Sequence, residues 1–277
     1  MVSAAFYGAG IKIAKGNNKM RILCIGDIVS RSGREMLRTH LNPIRTHKNI
    51  DLVIANAENA SHGRGITRNV YEELTKYGID GFTMGNHTWG CKDVITLFRY
   101  QNNIIRPLNY SGDCPGRGSM LLTAKSRRKV GIINLLGRIY MDPCESPFLY
   151  VEKEIERLRR ETNMILVDFH AEATSEKQAM GWFLDGRVSA VFGTHTHVQT
   201  ADETILPKGT GYITDLGMTG PVYSVLGMDR QIIIDRFLNG MPGKFEIADG
   251  KGRLSGCIFE LDEKNGKTVA VERIHIE

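Results

Sequence analysis

The sequence predicts a layered α/β fold, and two features of its pattern lead to that prediction. Short apolar runs of strand length recur from residue 21 onward, and each ends at a turn signal or a polar residue. Amphipathic segments of helical period lie between several of these runs. An alternation of strands and helices is typical of sheets covered by helices.

The predicted strands come first along the chain. They are RILCIGDI from Arg21, LVIANA (52–57), DGFTM (80–84), KVGIINLL (129–136), MILVDF (164–169) and SAVF (189–192). The final segment, LSGCIFELDEKNGKTVAVERIHIE, alternates apolar and polar residues on both sides of the turn EKNGK. This pattern predicts an antiparallel hairpin at the end of the sheet.

Two helices are predicted between the later strands. In PFLYVEKEIERLRRET, the side chains of Val151, Ile155 and Leu158 share one face with Phe148, and charged residues take the other. In TSEKQAMGWFLDG, Thr174 is placed to cap the amino end of a second helix.

Composition indicates a soluble globular protein. Of 277 residues, 42% are hydrophobic and 24% are charged, which is enough to bury a substantial core. One domain is expected over residues 20–277, because layered α/β domains reach this size unbroken. Residues 1–19 are interpreted as an N-terminal extension, with its origin, native or non-native, left open.

The charge and the cysteines limit the classes of partner. Lys12, Lys15 and Lys19 supply +3 of the net charge of +5, so residues 21–277 carry only +2. These residues are close to neutral overall, so their net charge gives little support for nucleic-acid binding. The five cysteines form no C-x-x-C pair, which favours free thiols and a cytoplasmic location. No apolar run is long enough to cross a membrane, and no export signal is expected.

Polar side chains follow five of the predicted strands. They are Asp27 after RILCIG, Glu58 and Asn59 after LVIANA, Asn86 and His87 after DGFTMG, His170 after MILVDF, and His195 and His197 after SAVFGT. Because ligands bind at the carboxyl ends of strands in open α/β sheets, these groups are expected to converge. An extended backbone would turn the last two imidazoles to the same side.

The donor types predict a site for two metal ions. Imidazoles, carboxylates and amide oxygens without a thiolate suit Mn, Fe or Zn. The donors outnumber the positions of one four-coordinate ion, and a carboxylate can bridge two. Two such ions form the usual clamp for attack on phosphorus, so the pattern predicts a binuclear phosphoesterase.

The ordered motifs resemble the calcineurin-like metallophosphoesterases, and more closely their YmdB-like branch. The segments that carry the resemblance are GDIV, NAENASHGRG, MGNHTWG, DFHAEATSEK, FGTHTHVQT and DLGMTGP. The resemblance implies a layered α/β/β/α sandwich with mixed central sheets. It also implies the activity of that branch, whose members are bacterial phosphodiesterases acting on cyclic nucleotides.

The same resemblance implies roles for single residues. One metal would be held by Asp27, Asn59 and His197. The other would be held by Asn86, His170 and His195. Glu58 would bridge both, and His87 would be the acid that protonates the leaving oxygen. The sequence departs from the wider superfamily in two places. At the first motif, D-x-H, Val29 stands where the histidine ligand would be, and at the bridging position Glu58 replaces an aspartate.

The expected function is therefore that of a hydrolase. Hydroxide bridging two divalent or trivalent ions, Fe or Mn ahead of Zn, would attack the phosphorus of a 2′,3′- or 3′,5′-cyclic nucleotide. The alternatives are a phosphomonoesterase, a phosphoesterase acting on RNA, and a nucleotide-binding regulatory protein of low turnover. A small phosphodiester is the expected partner, a membrane is not, and the sequence leaves a homo-oligomer open.

Overall fold

The computed structural model describes residues 18–277. The extension predicted at residues 1–19 falls mainly on residues 1–17, outside the described residues. It therefore stays a prediction, as does the single domain after it. The first strand begins at Lys19.

The strands and helices alternate along most of the described chain. The strands are β1 (Lys19–Ile25), β2 (Asp27–Ile28), β3 (Leu52–Asn56), β4 (Gly81–Thr83), β5 (Ser119–Thr123), β6 (Lys129–Leu136), β7 (Ile165–His170), β8 (Ala190–Thr194), β9 (Thr204–Ile205), β10 (Gly211–Ile213), β11 (Met218–Pro221), β12 (Gly252–Asp262) and β13 (Thr268–Ile276). The helices are α1 (Ser30–His47), α2 (Arg68–Tyr77), α3 (Asp93–Tyr100), α4 (Pro147–Arg159), α5 (Thr174–Leu184) and α6 (Arg230–Asn239), with a 3₁₀ turn at Thr88–Gly90.

The strands form two mixed sheets. The first has the order β2-β11-β12-β1-β3-β4, with β13 paired to β12, and the second has the order β5-β6-β7-β8-β10-β9. In the first sheet β1, β3 and β4 are parallel, whereas β12 is antiparallel to β1. In the second sheet β6, β7, β8 and β10 are parallel, and β5 and β9 run antiparallel to them at the edges.

Alternate residues of the central strands pack into different hydrophobic layers. In β1, Leu23 and Ile25 pack with the helices on the outer face of the first sheet. Ile22 and Cys24 point the other way, into a core shared with Leu166 of the second sheet. A third core lies between the second sheet and helices α4 and α5. The order helix, sheet, sheet, helix confirms the predicted α/β/β/α sandwich.

The predicted local elements are confirmed with one correction. In α4 the expected apolar face, Val151, Ile155 and Leu158, is buried. The predicted cap at Thr174 is wrong, because Ala173 occupies the N-cap position of α5 and no side chain caps the helix there. Strands β12 and β13 form the predicted antiparallel hairpin. Within residues 18–277, no helix has the length and apolar character needed to cross a bilayer.

The carboxyl ends of strands from both sheets meet at one end of the sandwich. The side-chain amide of Asn56, at the end of β3, donates to the carbonyl of Met84 after β4 at 3.2 Å and lies 3.5 Å from the Thr194 hydroxyl at the end of β8. The sequence argument placed these ends along a single open sheet. The structure instead places them on two facing sheets, so the polar residues beyond them surround the seam between the sheets.

Candidate active site

The structure brings the seven predicted ligands together, and the two sheets supply different kinds of donor. The oxygen side consists of residues on strands and loops of the first sheet: Asp27, Glu58, Asn59 and Asn86. The imidazole side consists of residues at the ends of β7 and β8 in the second sheet: His170, His195 and His197.

The tightest part of the cluster surrounds Nε2 of His170, which is fully buried. The Asn86 Oδ1 atom lies 2.9 Å from it, the His195 Nδ1 atom 3.1 Å, and the Glu58 Oε1 atom 3.2 Å. Potential ligand atoms of Glu58, His170 and His195 lie within 4.8 Å of one another. These residues can hold a metal ion.

Each of the three imidazoles has one nitrogen that forms a hydrogen bond to a group outside the cluster. Nδ1 of His197 donates to the Leu226 carbonyl at 3.0 Å, and Nε2 of His195 donates to the Glu172 carboxylate at 3.1 Å. Nδ1 of His170 lies 2.9 Å from the Thr194 hydroxyl. Such outer hydrogen bonds fix the tautomer of metal-binding histidines.

The tautomer of His170 is set by a further residue. The Thr194 hydroxyl donates its one proton to Oδ1 of Asp168 at 2.7 Å, so it must accept the Nδ1 proton of His170. Nε2 of His170 then carries only a lone pair, as do the oxygen of Asn86 and Nδ1 of His195 beside it. A cluster of acceptors without a proton between them is suited to a cation.

Burial keeps two of these imidazoles neutral. It lowers the pKa of His170 to about 4 and that of His195 to about 3. Neutral imidazole is the form that binds a metal. Burial also raises the pKa of Asp27, whose Oδ1 atom is buried without a hydrogen-bond partner. This orphaned oxygen, 3.9 Å from Nε2 of His197, is a second sign that the residues present fit bound cations.

The proposed acid, His87, contacts the oxygen side directly. Its backbone N–H donates to Oε2 of Glu58 at 2.7 Å, and its Nδ1 donates to Oδ1 of Asn59 at 2.7 Å. Its side chain is 32% exposed, so substrate can reach it, and burial lowers its pKa. The amide of Asn59 consequently turns its oxygen to His87 and its nitrogen to Nε2 of His197, 3.2 Å away.

The expected reason for the convergence of His195 and His197 is wrong. Strand β8 ends at Thr194, and both histidines adopt left-handed backbone conformations, with φ of 98° and 64°. Such conformations cost roughly 1–3 kcal/mol each outside glycine, so the surrounding structure must hold them. The two imidazoles converge through a strained turn and not through extended backbone.

A buried ion pair behind that turn holds it in place. The Lys177 ammonium lies 2.5 Å from Oδ2 of Asp215, and both side chains are almost fully buried. The same carboxylate accepts from the backbone N–H and the hydroxyl of Thr196, at 3.2 and 2.8 Å. Lys177 had no role in the sequence interpretation, although it stands in the TSEK motif. Asp215 stands in the DLGMTGP segment, and the structure gives it this bracing contact.

Sequence reasoning also missed the buried polar group behind His170. Asp168 accepts hydrogen bonds from Thr83 and Thr194, one from each sheet, and burial raises its pKa to about 7. An aspartate inside the apolar run MILVDF was the signal that could have revealed it. Gly85 matters for a steric reason, since a Cβ there would lie 2.4 Å from the His170 ring and 2.5 Å from Glu58.

Comparisons with known proteins identify the family of the chain. The model of the YmdB-like protein family matches residues 23–274. A 2′,3′-cyclic-nucleotide 2′-phosphodiesterase from Bacillus subtilis is 47% identical over 257 residues, covering 93% of this chain and 97% of that protein.

Two solved structures are also similar. A hypothetical protein from Thermus thermophilus has a TM-score of 0.87 at 42% identity, covering 93% of this chain and 99% of its own. A phosphatase from Mycoplasma pneumoniae has a TM-score of 0.88 at 38% identity, covering 94% of both chains. The prediction of a phosphoesterase enzyme is confirmed at that level. The chain belongs to the YmdB-like protein family.

Proposed function

We propose that this chain is a metal-dependent phosphodiesterase that hydrolyses 2′,3′-cyclic nucleotides at a site for two transition-metal ions. One observation carries the proposal: three imidazoles turn preset lone pairs toward the carboxylates of Glu58 and Asp27. The substrate class is supported by the similarity to the Bacillus subtilis enzyme, whose name specifies that activity.

The two ions are assigned to different groups of residues. Asn86, His170 and His195 would hold one ion, Asp27, Asn59 and His197 the other, and Glu58 would lie between them. Nitrogen and oxygen donors without thiolate suit Fe or Mn first and Zn next. When bound, two such ions would lower the pKa of a bound water so that hydroxide can attack phosphorus, and would stabilise the negative charge of the transition state.

His87 would deliver the proton to the leaving oxygen. Its Nδ1 donates to Asn59, so the proton passed to the leaving oxygen would be the Nε2 proton of the doubly protonated ring. Its backbone contact with Glu58 fixes it beside the ion site without using the ring. A positioned acid of this kind contributes about 10²- to 10⁴-fold to a rate.

We also propose a cytoplasmic location for the enzyme. All five cysteines are free thiols in the structure. Two of them, Cys24 and Cys257, are fully buried, and burial raises the pKa of both. Thiols kept reduced are usual in that compartment.

The decisive test is a substrate panel with metal analysis. Purified protein loaded with Mn should hydrolyse 2′,3′-cyclic AMP faster than 3′,5′-cyclic AMP, p-nitrophenyl phosphate or a short linear RNA, and EDTA should abolish the reaction. Substitution His87→Ala should lower kcat at least about 100-fold while metal content, measured by mass spectrometry, is unchanged. Absence of hydrolysis of every substrate would reject the enzyme assignment in favour of a binding protein.

A further inference from the structure

A cavity of about 730 Å³ adjoins the candidate active site. His197 forms part of its wall, together with Leu226, whose carbonyl accepts the Nδ1 proton of that histidine. Cavities of this size hold small ligands in many proteins. The cavity therefore borders one of the predicted metal ligands, His197.

The far wall of the cavity is basic. Arg253, Arg273 and His275 line it, and they come from the hairpin strands β12 and β13. Two of these three side chains already have an acidic partner: Arg273 lies 3.4 Å from Glu203, and His275 lies 3.4 Å from Glu277.

Arg253 is different from these neighbours. Its Nη2 donates to the Val222 carbonyl at 3.1 Å, and its Nε is buried without a hydrogen-bond partner. In the part of the chain that the structure describes, no carboxylate forms an ion pair with it. Among the described residues its Nη1 has no hydrogen-bond partner and, unlike Nε, is accessible, so this end of the guanidinium can bind the oxygens of a phosphate.

We infer that this cavity binds a phosphate group other than the one being hydrolysed, with Arg253 as its principal contact. This inference rests on the proposed function for its most informative substrate, an oligonucleotide that ends in a 2′,3′-cyclic phosphate. The terminal cyclic phosphate would lie at the ion site, and the preceding internucleotide phosphate would lie in the cavity. Free phosphate ion shares the same chemistry and is the other source of such a ligand.

The kinetic test compares one substrate of one phosphate with one of two. Substrates are 2′,3′-cyclic AMP and the dinucleotide ApA ending in a 2′,3′-cyclic phosphate. For the Mn-loaded enzyme, Arg253→Met should lower kcat/KM for the dinucleotide about tenfold or more, mainly through KM, and for the mononucleotide less than about twofold. Arg253→Lys, which keeps the charge but not the fork, should fall between. Equal losses on both substrates, or no loss on either, would overturn the inference.

A matched control is available on the surface. Arg99, exposed on α3, has no contact with the cavity, and Arg99→Met should leave both substrates unaffected. Melting temperatures of the variants show whether each is folded. If Arg253→Met does not fold, the comparison is made with Arg253→Lys alone, whose selective loss on the dinucleotide supports the inference and whose equality with wild type rejects it.

A binding test separates this inference from the proposed function. Calorimetric titration of the EDTA-treated protein with ApA cyclic phosphate, and separately with inorganic phosphate, requires no turnover. Binding by wild type that is lost in Arg253→Met supports the site even if neither substrate is hydrolysed. Comparable affinity for inorganic phosphate identifies the free ion as the ligand, and weaker affinity identifies the internucleotide phosphate. No binding by wild type, or equal binding by the variant, rejects the site.

Discussion

The imidazole side and the oxygen side of the candidate site differ in how firmly their donors are set. On the imidazole side, each ring is oriented by an acceptor outside the cluster: Thr194 for His170, Glu172 for His195, and the backbone of residue 226 for His197. Hydrogen bonds within the protein therefore fix the donors on this side.

The oxygen side is less complete. Oδ1 of Asp27 is buried without a partner, and the amide of Asn59 presents its nitrogen, not its oxygen, to His197. Asn86 and Glu58 turn oxygens to Nε2 of His170, at 2.9 and 3.2 Å. The comparison teaches that hydrogen bonds from outside the cluster fix the donors of the second sheet, whereas part of the first sheet's contribution has no such partner.

The largest expected effect comes from removing the imidazole of His170, which lies at the centre of the cluster. Substitution His170→Ala deletes the nitrogen around which Asn86, Glu58 and His195 gather, so we expect both metal content and hydrolysis to fall to background. Metal analysis and assay with 2′,3′-cyclic AMP check this. His40→Ala, on α1, is the matched control and should behave as wild type. Retention of both ions by the His170 variant would contradict the assigned ligand set.

A change on the oxygen side should be more selective. Substitution Asp27→Asn keeps the shape of the side chain but removes the negative charge of its carboxylate. We expect the metal content to drop from about two ions per chain to about one, with activity lost, because in-line attack uses a pair of ions. Depletion of both ions to the same extent would show that the two sides do not differ in the way described.

The ion pair between Lys177 and Asp215, behind the strained turn, can be broken without changing a proposed ligand. Lys177→Met leaves the carboxylate of Asp215 buried without its cation, and such a change costs about 3–5 kcal/mol in the free energy of unfolding. Denaturant unfolding measures it. Lys129→Met removes an exposed pair with Glu161 and should cost at most about 1 kcal/mol. Losses of equal size in the two variants would argue against the bracing role.

The smallest expected effect tests the orientation of a single ring. Thr194→Val keeps the side-chain volume but removes the acceptor for Nδ1 of His170. We expect metal affinity to fall about 10- to 100-fold, as is usual when an outer partner of a metal ligand is lost. Activity should recover at high Mn concentration, whereas the His170→Ala variant should not. A Thr194 variant that no amount of Mn restores would show that the hydroxyl does more than orient the ring.

The sequence pattern predicted a layered α/β fold, and the resemblance added the two-sheet sandwich and the roles of the seven candidate ligands. Strand runs with a period of two place residues such as Leu23 and Ile22 on opposite faces, and this alternation requires covering layers on both sides. Polar residues directly after apolar runs pointed to side chains that lie close together in the structure, because strand ends meet in one sheet or in two facing sheets.

The remaining features depend on contacts distant in sequence. The left-handed turn at His195 and His197 is set by Asp215 and Lys177, which approach it from a loop and a helix far along the chain. The pairing of a lysine with an aspartate 38 residues away has no local pattern. Likewise, which imidazole nitrogen faces the ion depends on an acceptor that only the folded chain brings near.

The division of donors between the two sheets also affects the durability of the fold. A cation held by oxygens from one sheet and nitrogens from the other would link the two sheets, because the sheets could not separate at that end without releasing the cation. At a thousand times its dissociation constant, one such ion would add about 4.1 kcal/mol to the free energy of unfolding. Chelation would then lower the free energy of unfolding, so the supply of metal would affect the stability of the enzyme as well as its rate.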